Sequence, residues 1–296
     1  MNNINTIVNL EDHPIENKEY RNYCFENLRK KSVLTLENFL NQECLYSIQQ
    51  EALLLEGKAF YCSQKHTVLL NQYDENIDKG DPLNIEVISD KGCIPHDLIE
   101  PNSQLNLLYH SSNFKSFLIS VLDIKNIFPY TDTLSSINYN YYQNMQQLGW
   151  HFDNASFAIT LMIQSPDKGG VFEYINKGRD YNSNFIDKDF IYRVLNEDVK
   201  VKQLVVNPGT LVLFYGRNYL HRVTPVESIK LAFDGSTVFA AVKGTGIVNV
   251  NNETVNPLIV YRINDVFSGS PSNWEKVYQL NSPNYAEIQI VADTSG

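Results

Sequence analysis

Residues 148–174 read LGWHFDNASFAITLMIQSPDKGGVFEY, and residues 207–226 read NPGTLVLFYGRNYLHRVTPV. Both stretches are rich in aromatic and branched apolar residues between Gly, Pro and Asp turns, which is typical of short β-strands. His151 and Asp153 lie two residues apart, so in an extended strand their side chains point to the same face. His221 lies in the second stretch. Folding of the two stretches is predicted to bring two imidazoles and one carboxylate together.

Two histidines and one carboxylate bind a divalent metal and leave neighbouring coordination positions open, as in non-heme Fe(II) oxygenases. A His-x-Asp pair alone is more often structural, and a buried, hydrogen-bonded side chain is the plain alternative for His221. The strand-like context of both motifs favours the metal site. The other histidines have no comparable setting, and we interpret them as ordinary residues: His13, His66, His96 and His110.

Length and composition describe a globular chain. It has 296 residues, 43% of them hydrophobic, with 18 Tyr and 15 Phe, which is enough for a packed core. The net charge of −10 argues against nucleic acid as a partner, because neutralising phosphates needs basic patches. The sequence contains no apolar run of about 20 residues, so we expect no membrane partner. The oligomeric state cannot be predicted.

The N-terminus and the cysteines indicate a cytoplasmic location. The first residues lack a basic region followed by an apolar run, so we expect no signal peptide. The four cysteines are widely spaced, without a CxxC pair, and reduced thiols are the favoured interpretation.

The first third of the chain is predicted to be mainly helical. Residues 41–56 carry apolar residues at helical spacing and stop at Gly57, and a second helix is predicted after Ser112. Residues 62–101 are turn-rich, which indicates irregular structure with a few short strands. The polar residues 176–189 predict a long loop, either a surface excursion or a lid over the site.

From about residue 134 onward, short β-rich runs follow one another between turn signals. Many short strands at regular spacing indicate a sandwich or a barrel, against which the helices pack. The runs are residues 134–143, 157–164, 170–174, 199–206, 210–215, 219–226 and 236–242.

Asn140 and Tyr142 lie upstream of the His-x-Asp pair and share one face of a predicted strand. If that strand neighbours the one carrying His151, an amide and a phenol project into the metal pocket, where both can hydrogen-bond a carboxylate co-substrate. The alternative is a tyrosine-rich strand whose hydroxyls reach solvent, and composition alone favours it.

Cations flank the second histidine: Arg217, Arg222 and Lys230. A dicarboxylate bound at a metal needs a cation for its far end, and Arg is suited to this through its bidentate fork. Surface charge is the usual role of a single Lys, so Lys230 has a plain alternative as well.

With these residues assembled, the chain resembles the Fe(II)/2-oxoglutarate-dependent oxygenase superfamily. More narrowly, residues 148–174 and 207–226 resemble the bacterial group that contains free-amino-acid hydroxylases and BesD-type radical halogenases. The segments VNLEDHPI (8–15), KHTVLL (65–70) and GDPLN (80–84) fit the same group. The resemblance runs from about Val8 to Val226.

The resemblance implies a mainly β fold with N-terminal helices and a double-stranded β-helix core, also called a jelly roll or cupin-like barrel. We expect a single oxygenase domain over residues 1–296. Within it, residues 1–130 form a largely helical support region, 134–245 the jelly-roll core and 246–296 a divergent C-terminal segment.

The resemblance also implies the site and its cofactors. His151, Asp153 and His221 are expected to hold Fe(II), with 2-oxoglutarate and O2 as co-substrates. Asn140, Tyr142 and Lys230 are expected to steady the 2-oxoglutarate; Lys230 is the residue nearest to the place where the group carries a basic side chain, usually Arg. The expected substrate contacts are Asn154, Arg217 and Arg222.

The expected activity is hydroxylation of an unactivated carbon of a free amino acid or a related small molecule, with succinate and CO2 as co-products. The halogenases of the group have a small residue in place of the ligating aspartate, and here Asp153 fills that position. Two alternatives stay open: the same oxidation ending in demethylation or desaturation of an amino-acid-derived metabolite, and a non-catalytic jelly-roll module that binds metal.

Overall fold

The computed structural model describes residues 4–132 and 134–228, and after these the backbone of short strand segments between Phe239 and Asp293. Lys230 lies outside the described residues.

Five α-helices lie within the described part of the chain. Asn17 caps the first by accepting hydrogen bonds from the backbone N–H groups of Glu19 and Tyr20, and Ser111 caps the fourth in the same way. The predicted helices at 41–56 and after Ser112 are both confirmed. The helices are α1 (Lys18–Lys31), α2 (Gln42–Leu55), α3 (Gln104–Tyr109), α4 (Ser112–Leu122) and α5 (Lys188–Leu195), with short 3-10 helices at Ile4–Thr6, Glu56–Lys58 and His96–Leu98.

Strands make up most of the remaining structure. Up to Ser228 they are β1 (Val33–Leu36), β2 (Phe60–His66), β3 (Val87–Ile94), β4 (Phe128–Pro129), β5 (Ile137–Tyr142), β6 (Leu148–His151), β7 (Ala158–Gln164), β8 (Lys168–Gly169), β9 (Phe172–Asp180), β10 (Phe185–Ile186), β11 (Lys202–Leu204), β12 (Leu211–Phe214), β13 (Tyr219–Val223) and β14 (Val226–Ser228). Beyond Ser228 they are β15 (Phe239–Ala241), β16 (Val248–Val250), β17 (Glu253–Val255), β18 (Ile259–Ile263), β19 (Trp274–Gln279), β20 (Tyr285–Ile290) and β21 (Ala292–Asp293).

Eight of these strands form a jelly roll. One sheet has the order β12-β7-β20-β5, extended by β1 beside β12 and by β3 and β2 beside β5. The other sheet has the order β11-β9-β13-β6. The neighbours pair antiparallel, and most successive strands alternate between the two sheets, which is the connectivity of a double-stranded β-helix. The predicted fold class is confirmed.

Strand β20 lies in the first sheet between β5 and β7. It falls within residues 246–296, after the expected jelly-roll core of 134–245. The division of the chain into these segments stays a prediction.

Three apolar layers hold the sheets in place. The outer face of the first sheet packs against α1 to α4, with Tyr139, Ile159 and Leu213 among its buried residues. The space between the sheets is filled by residues such as Tyr142 and Phe214. The outer face of the second sheet packs on α5. Alternate residues of each strand therefore face either the barrel interior or an outer layer.

Strand β3 connects the two sheets along one side of the barrel, where β5 and β6 lie. Its last residues pair with β5, where Cys93 lies opposite Asn140. Its first half runs along β6: the backbone N–H of Asp90 donates to Gln147, and Ser89 Oγ accepts from the backbone N–H of Gly149.

Two expectations about irregular regions differ from the structure. Residues 62–101 contain the long antiparallel pair β2 and β3, rather than a few short strands. Residues 176–189 are not a long loop, because β9 continues to Asp180, turns into β10, and Asp187 caps α5. The polar residues of this segment occupy a hairpin and a helix start, both of which tolerate them on the solvent side.

Candidate metal centre

His151, Asp153 and His221 converge at the mouth of the jelly roll. His151 ends β6, His221 lies in the middle of β13, and the two residues are directly opposite each other in the antiparallel register. One carboxylate oxygen of Asp153, Oδ1, lies 3.4 Å from His151 Nε2 and 3.5 Å from His221 Nε2. One ligand atom from each residue lies within 4.8 Å of the other two. The structure therefore brings the three predicted ligands together.

Backbone carbonyls fix the orientation of both imidazoles. His151 donates from Nδ1 to the carbonyl of Gly149 at 2.8 Å, and His221 donates from Nδ1 to the carbonyl of Tyr219 at 2.8 Å. A carbonyl only accepts hydrogen bonds, so each Nδ1 carries a proton and each Nε2 is the atom that faces Asp153. Hydrogen bonds of this kind set the tautomer of metal-ligating histidines.

The charge balance of the cluster suits a bound cation. Burial, together with the neighbouring His221, lowers the pKa of His151. Burial alone would raise the pKa of Asp153, but His221 and His151 outweigh it and hold that pKa well below its usual range. These shifts favour a neutral His151 and an ionised Asp153, the protonation states that a divalent metal requires of its ligands.

The hairpin of β2 and β3 braces the first ligand through residues that sequence reasoning missed. His66 accepts a hydrogen bond from Ser89 at Nε2, and its ring lies edge-on to the ring of His151. A Cβ on Gly149 would lie 2.7 Å from the backbone oxygen of Ile88, so only glycine permits this approach. The interpretation of His66 as an ordinary residue overlooked this position, because a hairpin partner cannot be identified from its own local sequence.

The loop after His151 is hydrogen-bonded to the turn before β13. The backbone N–H of Asp153 donates to the carbonyl of Gly216 at 3.0 Å. Arg217 donates from Nε and Nη2 to the carbonyl of Asn154, at 2.9 and 2.6 Å. Asn154 and Arg217, expected as substrate contacts, therefore lie beside the metal ligands and bond to each other there. Gly216 has no side chain and gave no signal in the sequence.

Arg222 lies on the other face of its strand from His221. Its guanidinium donates from Nε to Glu173 at 2.6 Å and lies over the ring of Trp150 in the layer against α5. Side chains of adjacent strand residues point to opposite faces, so Arg222 is directed away from the metal centre. The structure gives its expected substrate role no support.

Asn140 and Tyr142 face the barrel interior from β5. Tyr142 packs among the residues between the two sheets and is fully buried. Asn140 is 1% exposed, and its Nδ2 has no hydrogen-bond partner among the described side chains and backbone. A buried amide N–H without a partner is costly, and a bound oxygen would satisfy it.

Comparison with known proteins identifies the family. The family model described as Halogenase D, HalD, matches residues 16–231, which include all three ligands. The chain belongs to the Halogenase D family. No curated protein sequence matches the chain.

Solved structures similar to this chain include an oxidoreductase of the 2OG-Fe(II) oxygenase family from Burkholderia pseudomallei, at 13% identity and a TM-score of 0.44, covering 72% of this chain and 87% of that one. A prolyl hydroxylase from Trichoplax adhaerens matches at 14% identity and a TM-score of 0.46, covering 76% and 91%. The alpha-ketoglutarate-dependent epimerase SnoN from nogalamycin biosynthesis matches at 6% identity and a TM-score of 0.48, covering 72% and 79%. At these scores we base the assignment on the family match and the site geometry.

The chain is a non-heme Fe(II)/2-oxoglutarate-dependent dioxygenase. Its jelly roll, its His-Asp-His site and the family match agree on Fe(II), 2-oxoglutarate and O2 as its cofactor and co-substrates. Among the described residues, no helix has the length and apolar character to cross a membrane.

Proposed function

We propose that this chain hydroxylates an unactivated carbon of a free amino acid or an amino-acid-derived small molecule, with succinate and CO2 as co-products. The observation that carries the proposal is Asp153: its Oδ1 faces both histidine Nε2 atoms, so the coordination position that a halide needs in the chlorinating relatives is taken by a carboxylate. Family membership supports oxidation at carbon, and the ligand set favours hydroxyl over halide transfer.

The ligand residues fit Fe(II). Their donor atoms are two imidazole nitrogens and one carboxylate oxygen, the facial set that leaves open positions for a co-substrate and dioxygen. When bound, iron with 2-oxoglutarate supplies the oxidising power for attack on a carbon–hydrogen bond. The chain's own part is to hold the ligands rigidly, to orient both small molecules, and to keep the reacting centre dry.

The buried amide of Asn140 fits an anionic co-substrate. Its Nδ2 has no partner among the described groups, so it is available to donate a hydrogen bond to a carboxylate oxygen. Tyr142 lies two residues along on the same face and brings a hydroxyl to the barrel interior. We infer that these two side chains hold 2-oxoglutarate from the first sheet.

The far carboxylate of 2-oxoglutarate needs a cation, for which Lys230 was the expectation. Lys202 is a second candidate, because it lies opposite Tyr174 in the register, and Tyr174 lies opposite His221. The three residues form a row across one face of the second sheet. The ammonium of Lys202 lies 5.5 Å from the centre of the Tyr174 ring.

Removing the charge of each lysine in turn shows which of the two binds the far carboxylate of 2-oxoglutarate. If Lys202 is the anchor, Lys202→Met raises the 2-oxoglutarate concentration needed for half-saturation about tenfold. The exposed neighbour Lys200→Met is the matched control. If Lys230→Met has that effect instead, Lys230 is the anchor.

The substrate contacts proposed at the mouth are Asn154 and Arg217, both beside the metal ligands. Arg217 bonds through Nε and Nη2 to a carbonyl, and we propose that its Nη1 binds a substrate carboxylate. Arg222 is left out of this proposal because its guanidinium is bonded to Glu173.

The test is an assay of free amino acids with Fe(II), 2-oxoglutarate and excess chloride, followed by mass spectrometry of the products. A gain of one oxygen with equimolar succinate is the expected result. A chlorinated product would contradict the proposal. Formaldehyde release would show demethylation, and loss of two hydrogens would show desaturation.

A non-catalytic module is distinguished before any substrate is known. Under anaerobic conditions, Fe(II) and 2-oxoglutarate should give the visible charge-transfer band of the chelate. Iron binding without that band would support the module and overturn the enzymatic proposal.

A further inference from the structure

Gly216, in the turn between β12 and β13, lies against the carboxylate of Asp153. A Cβ built on Gly216 would lie 1.7 Å from Asp153 Oδ2, 2.5 Å from Cγ and 2.9 Å from Cβ. Such contacts do not occur between real atoms, so any side chain at this position would require Asp153 to move. Gly216 is not among the glycines with positive φ, which means that the turn needs its small size and not its conformational freedom.

The carboxylate has no other fixed support on that side. Its Oδ1 faces the two histidines, whereas Oδ2 is buried and has no hydrogen-bond partner among the described residues. The backbone N–H of Asp153 is bonded to the carbonyl of Gly216, so the two residues cannot draw apart without breaking that bond. The rotamer that directs Oδ1 at the two histidines therefore places Oδ2 in the space that a side chain at position 216 would fill.

We propose that Gly216 is a positioning residue for the metal: its missing side chain is what allows Asp153 to coordinate. This rests on Asp153 being a ligand, as the proposed function requires. A residue with a Cβ at position 216 turns the carboxylate away from the histidines and reopens the coordination position that Asp153 fills.

The comparison with other tightly packed glycines separates this role from a general need for glycine. A Cβ on Gly169 would meet the backbone of Pro225 at 2.1 Å, and one on Gly149 would meet the backbone of Ile88. Backbone cannot move aside cheaply, so substitution there damages the fold. Two of the three atoms in the way at Gly216, Oδ2 and Cγ of Asp153, move when that side chain rotates, and only its Cβ, at 2.9 Å, requires a small shift of the backbone. Substitution should therefore weaken metal binding more than it weakens the fold.

The experiment is a double-mutant cycle of Gly216→Ala and Asp153→Ala. Fe(II) affinity is measured by anaerobic titration, and thermal unfolding is measured on the metal-free proteins. Gly57→Ala is the matched control, because a Cβ there would meet nothing within 4 Å. Gly216→Ala is expected to weaken Fe(II) binding about 10- to 100-fold, as loss of a supporting contact does, while the control binds normally.

The double mutant decides the mechanism. Gly216→Ala in the Asp153→Ala background is expected to cost no further iron affinity, because the methyl group enters the space that the carboxylate has left. A further loss as large as that in the single mutant would overturn the proposal, as would a Gly216→Ala protein that binds iron like the wild type. If Asp153→Ala itself binds iron normally, the ligand assignment fails, and the positioning role fails with it.

Folding failure is equally informative. If Gly216→Ala does not fold but the double mutant does, the obstruction is the Asp153 side chain, as proposed. If neither folds, the backbone itself requires glycine at this turn, and the proposal is overturned.

Discussion

In the metal half of the site, defined by His151, Asp153 and His221, both rings are oriented by backbone carbonyls and the carboxylate points at both Nε2 atoms. In the co-substrate half, defined by Asn140 and Tyr142, a buried amide N–H has no partner among the described groups. The chain orders the first half by its own bonds and leaves the second for a ligand to complete. Iron binding and 2-oxoglutarate binding should therefore respond to different substitutions.

The largest effect is expected from removing a ligand of the metal half. His221→Ala should weaken Fe(II) binding by about 100-fold or more, because loss of even a supporting residue costs 10- to 100-fold. His110→Ala, an exposed histidine away from the site, is the control and should bind iron normally. Anaerobic iron titration measures the affinity of both variants. If His221→Ala binds iron as tightly as His110→Ala, the metal half of the site is not where iron binds.

The next largest effect concerns the residue beside His221 on the opposite face. Arg222→Ala leaves the buried Glu173 without its charged partner and should lower the free energy of unfolding by about 2 kcal/mol. Iron affinity should change less than about threefold, because the guanidinium faces away from the metal. Urea unfolding and iron titration check the two parts, with the exposed Arg193→Ala as control. A large loss of iron affinity would mean that the two faces are not independent.

A smaller, selective effect is expected in the co-substrate half. Asn140→Ala should raise the 2-oxoglutarate concentration for half-saturation about tenfold, the value of one hydrogen bond to a charged group. Iron affinity without 2-oxoglutarate should not change. Asn138→Ala is the matched control, since its amide already bonds to Ser135 and Cys93. If both substitutions raise the half-saturating 2-oxoglutarate concentration equally, the side-chain amide of Asn140 is not the group that binds 2-oxoglutarate.

The smallest effect is a change in thiol reactivity. Cys93 lies opposite Asn140, and burial raises the pKa of its thiol. Fe(II) with 2-oxoglutarate should slow labelling of Cys93 by a few-fold, because a filled site opens less often. Cys62, also half-buried but in β2, serves as the internal reference. Equal slowing at both cysteines would point to a global effect instead.

The metal half was predicted from strand alternation together with the strand-like context of both motifs and the family resemblance. His151 and Asp153 at two-residue spacing, with His221 on a second strand, could be recognised because same-face placement is a local property of an extended chain. The same rule places the side chain of Arg222 on the other face of the strand from that of His221. The positive charge of Arg222 was therefore a poor reason to expect it near a substrate. The helix at α2 was equally predictable, since its apolar spacing and the glycine at position 57, two residues after its end at Leu55, are local signals.

Residues that act across the fold were not predictable in this way. Gly216 matters because a carboxylate distant in sequence occupies the space where its Cβ would be. His66 matters because the hairpin of β2 and β3 brings its ring against the ring of His151. Neither contact leaves a pattern in the sequence near the residue concerned. In residues 176–189, polar composition outweighed a helix signal that was present, namely Asp187 followed by Ile191 and Val194 at helical spacing.

Strand β3 contacts both the metal half and the co-substrate half of the site, and this couples the binding of their two ligands. Its first half is bonded to the strand of His151, and its last residues pair with the strand of Asn140. A ligand that stiffens β3 from one side lowers the entropy that the other ligand must remove in order to bind. Iron and 2-oxoglutarate should therefore strengthen each other's binding, and by linkage the factor is the same in both directions.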